Sequence, residues 1–247
     1  MIFKDIVLAT LQENILYDEV LFYLAEKEEA GESLRFWESS QLGIVLGRTG
    51  KTQEDINIEN VVKNNISVFR RTSGGGTVLQ GPGCLNFSLI LSKDRDPQLN
   101  DLRKSYQIIL NKIVSALQKF DIKGMFRPIS DLAVEPGEKK FSGNAQHRGR
   151  KYILHHGTIL YQFSLPMIEK YLKIPKDMPP YRQNRGHLDF VTNVFLEPGL
   201  FKEAVSKEFA VENRETSLSQ RERQVLKELG QQERVRVSKE ELIAPKK

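Results

Sequence analysis

Arg70-Arg71-Thr72-Ser73-Gly74-Gly75-Gly76-Thr77-Val78 is the stretch whose reading decides the fold. It lies between two strand-like runs, residues 66–70 before it and 77–80 after it. A glycine run that opens a helix would place phosphates on the helix N-terminus, as in doubly wound nucleotide folds and Walker loops. Here a strand follows, and the Gly-Lys-Ser/Thr ending of a Walker loop is missing. The run therefore belongs to a sheet connection. Three consecutive glycines let backbone N–H groups approach a ligand that side chains would hold off. In isolation, Ser73 to Gly76 reads first as a flexible turn, and the charge beside it changes that reading. Arg70 and Arg71 are adjacent on a strand, so they face opposite ways and one of them enters a cleft.

A second segment completes the first. Lys140-Phe141-Ser142-Gly143-Asn144-Ala145 carries a lysine into another strand, and His155-His156-Gly157-Thr158 follows. Fixed positive charge beside a glycine-rich bend suits a phosphate or carboxylate. The two segments together describe a cleft for a negatively charged, activated small molecule. The histidine pair does not describe a metal site, because neighbouring strand residues point to opposite faces.

Outward from these segments, residues 13–30 read as a helix with Ile15, Leu16, Val20, Leu21, Tyr23 and Leu24 on one stripe, stopped by Gly31. Short strands are expected at 34–38, 43–47 and 66–70. Residues 77–80 and 84–91 read as a hairpin around Gly81-Pro82-Gly83. Residues 100–120 give the clearest helix, with Asn100 as its expected N-cap. Strands follow at 124–127, 132–135, 140–146 and 151–161. A short helix is expected at 165–172, a surface loop at 175–186, and helices near 199–210 and 217–229, with solvated closing residues. Strands mixed with helices and joined by hairpins give an α+β class with a mixed, largely antiparallel sheet. The expected division is a domain over 1–195 and a short helical C-terminal extension over 196–247.

The chain has 247 residues, 39% hydrophobic and 28% charged, which suits an ordinary globular protein with one sizeable core. No apolar run reaches the roughly 18–20 residues of a membrane helix, and no signal peptide is evident. One cysteine excludes an internal disulfide framework, consistent with a reducing cytoplasm. A net charge of +5 without a recognised nucleic-acid module gives no reason to expect nucleic acid as a partner.

These motifs, in this order, resemble the lipoate–protein ligase A family of the biotin/lipoate ligase superfamily. The resemblance covers most of residues 10–195. It rests on Gly47-Arg48, on residues 71–76, on Ser130-Asp131-Leu132, on residues 140–145 and on residues 155–158. It implies a fold like that of biotin ligases and class II synthetases. It also implies an enzyme that uses ATP and Mg²⁺ to turn lipoate, or octanoate, into an acyl-adenylate. The acyl group then passes to a lysine of a lipoyl carrier domain, such as a 2-oxoacid dehydrogenase E2 or a glycine-cleavage H-protein. Such an enzyme needs positioning and charge stabilisation and no nucleophile of its own.

By this resemblance Lys140 is the catalytic residue, facing the acyl carbonyl or α-phosphate. Arg71, Ser73, Gly74, Gly75, Gly76, Thr77 and Val78 bind substrate or adenylate, Val78 along the acyl tunnel. Asp131, Ser142, Gly143, Asn144, His156, Gly157 and Thr158 complete the site, with Asp131 near the ribose and the Mg²⁺.

Departures from the family pattern also show. Many members carry His-Asp where this chain has Gln80-Gly81, and Asn where it has Cys84. The familiar ligases bear an accessory C-terminal domain, on the same chain or a partner. Here about 50 residues follow Asn193, so an accessory subunit is an open expectation. Two further readings remain. One is an ATP-independent octanoyl or lipoyl transferase using Cys84 as an acyl-thioester nucleophile, since Cys84, Asn86 and Ser88 share a strand face. The other is a non-catalytic acyl-carrier-binding protein. Biotin attachment fits the lysine and histidine segments less well.

Overall fold

In the computed structural model, which describes residues 1–231 and 235–243, the chain begins with β1 (Ile2–Lys4) and α1 (Leu11–Glu26). Thr10 starts α1 with a capping box to Glu13. Two strands, β2 (Ser33–Trp37) and β3 (Gly43–Leu46), lead to the short helices α2 (Thr52–Asp55) and α3 (Ile58–Lys63). Then come β4 (Ser67–Arg70), β5 (Val78–Gln80), β6 (Cys84–Ser92) and the long helix α4 (Leu102–Leu117). Four strands follow: β7 (Gly124–Arg127), β8 (Asp131–Val134), β9 (Lys139–Arg148) and β10 (Tyr152–Leu160). The chain continues through α5 (Pro166–Tyr171), α6 (His187–Phe190), α7 (Pro198–Glu208), β11 (Asn213–Glu215), α8 (Gln220–Gly230) and α9 (Lys239–Ile243). The closing residues 244–247, expected to be solvated, lie outside the described residues.

Two sheets result. The larger runs β11-β1-β2-β6-β10-β9-β8-β7, and the smaller β4-β3-β5. β1 lies parallel to β2 and β11, while the remaining pairs of the large sheet are antiparallel. The class is therefore α+β with a mixed, largely antiparallel sheet. Alternation along β6 explains the layering: Leu85, Phe87, Leu89 and Leu91 face the main core, where α4 and α7 cover the sheet. α4 starts one residue later than expected, with Asp101 rather than Asn100 capping it through Lys104 N–H. Of the stripe read from sequence, Leu102, Tyr106, Ile109, Ile113, Ala116, Leu117 and Phe120, the structure buries Tyr106, Ile109, Ile113, Ala116 and Leu117, while Leu102 is exposed because it opens the helix.

The expected hairpin of 77–80 with 84–91 does not form. β5 pairs with β3 in the small sheet, whereas β6 pairs with β2 and β10 in the large one. Gly81-Pro82-Gly83 turns the chain from one sheet to the other, with Gly83 N–H donating to Glu38. That crossing opens the space in which the site sits.

The last described segments pack onto the body. α7 covers α4, β11 extends the sheet beside β1, and α8 lies on α1. Buried Lys4 joins them, its ammonium 2.5 Å from Glu215 and 2.7 Å from Glu222.

Candidate active site

A cavity opens between the small sheet and the face of the large sheet opposite the main core. The glycine stretch and the lysine strand meet across it. Among the expected residues, Arg71, Gly76, Thr77 and Val78 line one side, and Asp131, Lys140, Gly143, Asn144, His156, Gly157 and Thr158 the other.

Arg71 shapes the glycine stretch rather than standing free to grip a ligand. Its guanidinium donates to Ser73 Oγ (2.9 Å) and to the carbonyls of Gly74 (2.8 Å), Gly76 (2.7 Å) and Val45 (3.2 Å). The loop curls around a buried cation, and burial lowers the Arg71 pKa to about 10, still far above neutrality. With its carbonyls turned onto Arg71, the loop's amides are left over. Those of Gly74, Gly75 and Gly76 donate to no backbone carbonyl among the described residues. Gly75 has φ of 82°, a conformation that suits glycine and strains other residues. Successive backbone N–H groups left over in this way are what an anion-binding concavity is built from. Arg70 faces the other way, to the carbonyls of Gly47 and Gly50 and to Glu241, as adjacent strand residues must.

Lys140 and Asp131 form an ion pair of 2.7 Å, and Tyr181 O–H donates to the other oxygen of Asp131 at 2.7 Å. An alanine Cβ at Gly143 would lie 3.0 Å from Lys140 Nζ, so the ammonium rests over that glycine in the cavity wall. Both carboxylate oxygens of Asp131 are thus engaged. Holding Mg²⁺ there would break one contact and set the ion beside an ammonium. No group of three or more His, Cys, Asp or Glu side chains converges as a metal site among the described residues. The residues present do not fit a resident Mg²⁺, and Asp131 instead serves as counter-ion to Lys140. Burial, reinforced by the charge of Asp131, raises the pKa of the Tyr181 phenol far above its ordinary value, so it stays a donor.

His156 and His155 part as expected. His156 Nε2 lies 2.6 Å from Ser73 Oγ, which links β10 to the glycine stretch. Burial holds its pKa well below the usual value, and nearby Arg71 pushes it the same way, so the imidazole is neutral. His155 is packed on the core side between Phe87 and Tyr106 and takes no part.

Two expected residues act behind the surface. Ser142 is buried and accepts from Asn144 Nδ2 (3.1 Å), which also donates to Ser130 O (2.8 Å). Gly157 gives that amide its space: a Cβ there would come within 1.8 Å of Asn144 Oδ1 and 2.8 Å of a Phe87 ring carbon. Gly74 and Gly75 belong to the curled loop, and Gly75 approaches Ala145 across the cleft.

Cys84 is elsewhere. It is fully buried in the second apolar cluster with Ile44, Leu160 and Tyr171, and its thiol is pushed up to about 12 by burial. Asn86 and Ser88, two and four positions on, do line the cavity. Cys84 does not line the cavity, being buried within that cluster instead.

The sequence reading missed the far wall. Ile15, Asp18 and Glu19 of α1, Trp37 of β2, Val45 of β3 and Gln80 of β5 all reach the cavity. Asp18 is buried, 2.6 Å from Arg35, and accepts from Trp37 Nε1 (3.2 Å) and Ser88 Oγ (2.6 Å). Asp18 and Glu19 stand among other polar residues of α1, Gln12, Glu13 and Asn14, so nothing local singled them out. Tyr181 had no signal either, being one residue of a loop fixed by tertiary contacts.

Such a fold and site define a class: α+β proteins whose glycine stretch and lysine strand meet across a cavity between two sheets. The chain belongs to the family described as Lipoyl protein ligase A/B catalytic domain, whose signature matches residues 10–210. It is 31% identical over 163 residues to the probable lipoate-protein ligase A of Mycoplasma pneumoniae, covering 66% of this chain and 46% of that one. It is 26% identical over 206 residues to the octanoyltransferase LipM of Oceanobacillus iheyensis, covering 75% and 73% respectively. Among solved structures, that of a bi-partite lipoate protein ligase, studied with its E2 lipoyl domain, from Thermoplasma acidophilum has the same fold. The TM-score is 0.80 at 20% identity, over 99% of this chain and 97% of that one. The chain spans about half the length of the ligase relatives it matches.

Proposed function

We propose that this chain is the catalytic part of an ATP-dependent ligase. It joins lipoate, or a similar medium-chain acid, to AMP and passes the acyl group to a lysine of a lipoyl carrier domain. The observation that carries the proposal is the meeting of the Arg71-curled glycine stretch with Lys140 across one cavity. In the first step a carboxylate oxygen attacks the α-phosphorus of ATP and pyrophosphate leaves. In the second, the neutral amine of the carrier lysine attacks the acyl carbonyl, and AMP leaves with the bonding electrons.

Negative charge builds at the α-phosphate and then at the carbonyl oxygen. The unpaired loop amides and the Lys140 ammonium are placed to stabilise it. Arg71 adds fixed charge behind the loop, and neutral His156 holds Ser73 without opposing that charge. Val78, Val45 and Ile15 offer the apolar lining an acyl chain needs. Mg²⁺ would enter with the phosphates of ATP as part of that substrate. A lipoyl domain is the proposed partner, and an accessory subunit fits the bi-partite ligase of the same fold.

The relative named as an octanoyltransferase favours a second reading, acyl transfer through a cysteine. The burial and raised pKa of Cys84, the single cysteine, weigh against it. The test is to incubate the chain with ATP, Mg²⁺, lipoate and an apo-lipoyl domain, then weigh the domain. A mass gain that requires ATP and Lys140 supports the ligase. A gain from an acyl-carrier thioester without ATP, lost on Cys84→Ser, would replace it with the transferase.

A further inference from the structure

The proton on one ring of the cavity wall can be placed by following its hydrogen bonds. Ser73 Oγ has two partners among the described residues, Arg71 Nε at 2.9 Å and His156 Nε2 at 2.6 Å. A guanidinium can only donate, so it uses Oγ as an acceptor. The hydroxyl proton then has a single acceptor within reach, the lone pair of His156 Nε2. The opposite arrangement, Nε2–H donating to Oγ, would strand the hydroxyl proton on a residue 2% exposed. A stranded buried donor is the costly side of the hydrogen-bond balance. With Nε2 accepting, the neutral ring carries its proton on Nδ1. Nδ1 has no partner among the described residues, and it is not sealed in as Asn144 Oδ1 is, so it opens on the cavity that His156 lines. Ser73 stands behind the ring, outside the cavity lining, and anchors it rather than acting as a nucleophile.

Strand pairing gives the surroundings of that N–H. His156 pairs with Ala145 on β9, and Ala145 meets the glycine stretch across the cleft: a Cβ at Gly75 would lie 3.5 Å from that of Ala145. The left-over loop amides and Nδ1–H thus border the same part of the cavity. Gly143, over which Lys140 Nζ rests, lies two residues from Ala145 on β9 and so shares its face. At about 3.4 Å per residue and 4.8 Å per strand, His156 and Gly143 stand roughly 8 Å apart on that face. An acyl-phosphate group between them can meet the ammonium and the imidazole at once.

We propose that His156 serves the reaction as a neutral hydrogen-bond donor, its Nδ1–H directed at an oxygen of the acyl-phosphate group. It is not the base that takes a proton from the carrier lysine. With Nδ1 protonated and Nε2 occupied by Ser73, the ring has no lone pair to offer that amine. What it supplies is a fixed dipole where negative charge develops, without a second full charge beside buried Arg71. This inference rests on the proposed function, since it takes the cavity to hold the acyl-adenylate.

The test begins with nitrogen NMR of isotope-labelled histidine rings in the whole chain, near pH 7 and without substrate. His156, assigned by the loss of its signals in His156→Gln, is expected to show a protonated Nδ1 and an unprotonated Nε2. Ser73→Ala removes the proton that Nε2 accepts, and the ring is expected to shift toward the Nε2–H tautomer. Lipoate-dependent exchange of labelled pyrophosphate into ATP then reads whether the donor is used. His156→Asn keeps an amide nitrogen at the place of Nδ1, whereas the amide of His156→Gln extends past it toward Ser73. His156→Gln is expected to slow exchange by about 10²–10³-fold, and His156→Asn by about tenfold less than that. A proton on Nε2 in wild type, or equal losses in the two variants, would overturn the inference and leave the ligase proposal standing. No lipoate-dependent exchange by wild type would remove the ligase proposal and this role with it.

Discussion

Gly157→Ala puts the packing account of the site at risk with a single methyl group. The new Cβ would lie 1.8 Å from Asn144 Oδ1 and 2.8 Å from a Phe87 ring carbon. Phe87 is fully buried in the main core, so the Asn144 amide must move. Its movement breaks the bonds from Nδ2 to Ser130 O and Ser142 Oγ, at about 0.5–1.5 kcal/mol each. The contact with Phe87 adds overpacking of about 1–3 kcal/mol. The total is about 4 kcal/mol. At roughly 2–4 °C per kcal/mol for a chain this long, the Tm should fall by roughly 8–16 °C, read by circular dichroism. Acyl transfer should fall too, because Asn144 and Ala145 form the cavity wall. Combining it with Asn144→Ala removes the worse contact, so Gly157→Ala should cost about 1–3 kcal/mol less in that background. A Tm unchanged by Gly157→Ala, or the same loss with and without Asn144→Ala, would refute the reasoning.

Cys84→Ser should keep most acyl transfer, measured by the mass of the carrier, at a modest stability loss of about 1–3 kcal/mol for a hydroxyl in an apolar cluster. Lys140→Ala should fold normally, its side chain being partly exposed, yet lose about 2.7–4 kcal/mol of transition-state stabilisation, roughly 10²–10³-fold in single-turnover rate. Stability should fall on acidification: burial lowers the His155 pKa to about 3, so below about pH 6.5 the unfolded chain takes a proton the native one refuses. The loss from His155 is about 2 kcal/mol by pH 5, and His155→Leu should shrink the difference between urea unfolding at pH 7 and at pH 5. Tyr181→Phe leaves Asp131 with Lys140 as its remaining side-chain partner. Transfer should then slow several-fold with little change in Tm, a split that separates positioning from folding.

What could be read from sequence was periodic or punctuated. The α4 stripe, the alternation on β6 and the opposite facing of Arg70 from Arg71 and of His155 from His156 are local consequences of helix and strand geometry. The convergence of residues 71–76 with Lys140 came from motif order, which no local rule supplies. The errors share one cause. Gly81-Pro82-Gly83 is a strong turn signal, but a turn does not say which strands pair, and here it passes the chain between sheets. Cys84 misses the cavity because it is buried in a cluster whose members Leu160, Phe163 and Tyr171 lie far along the chain, which no local alternation reveals. β1 and β11 were invisible as three-residue strands whose pairing spans the molecule. α1 is buried on nearly every side, so its polar residues, Asp18 and Glu19 among them, carry no amphipathic signal to mark them as site residues.

The central claim is that this cavity makes an acyl-adenylate, and exchange of labelled pyrophosphate into ATP tests it without any carrier protein. The account predicts exchange that depends on added lipoate or octanoate, persists in Cys84→Ser and collapses in Lys140→Ala. No acid-dependent exchange by wild type, alongside acyl groups recovered as a thioester on Cys84, would contradict it.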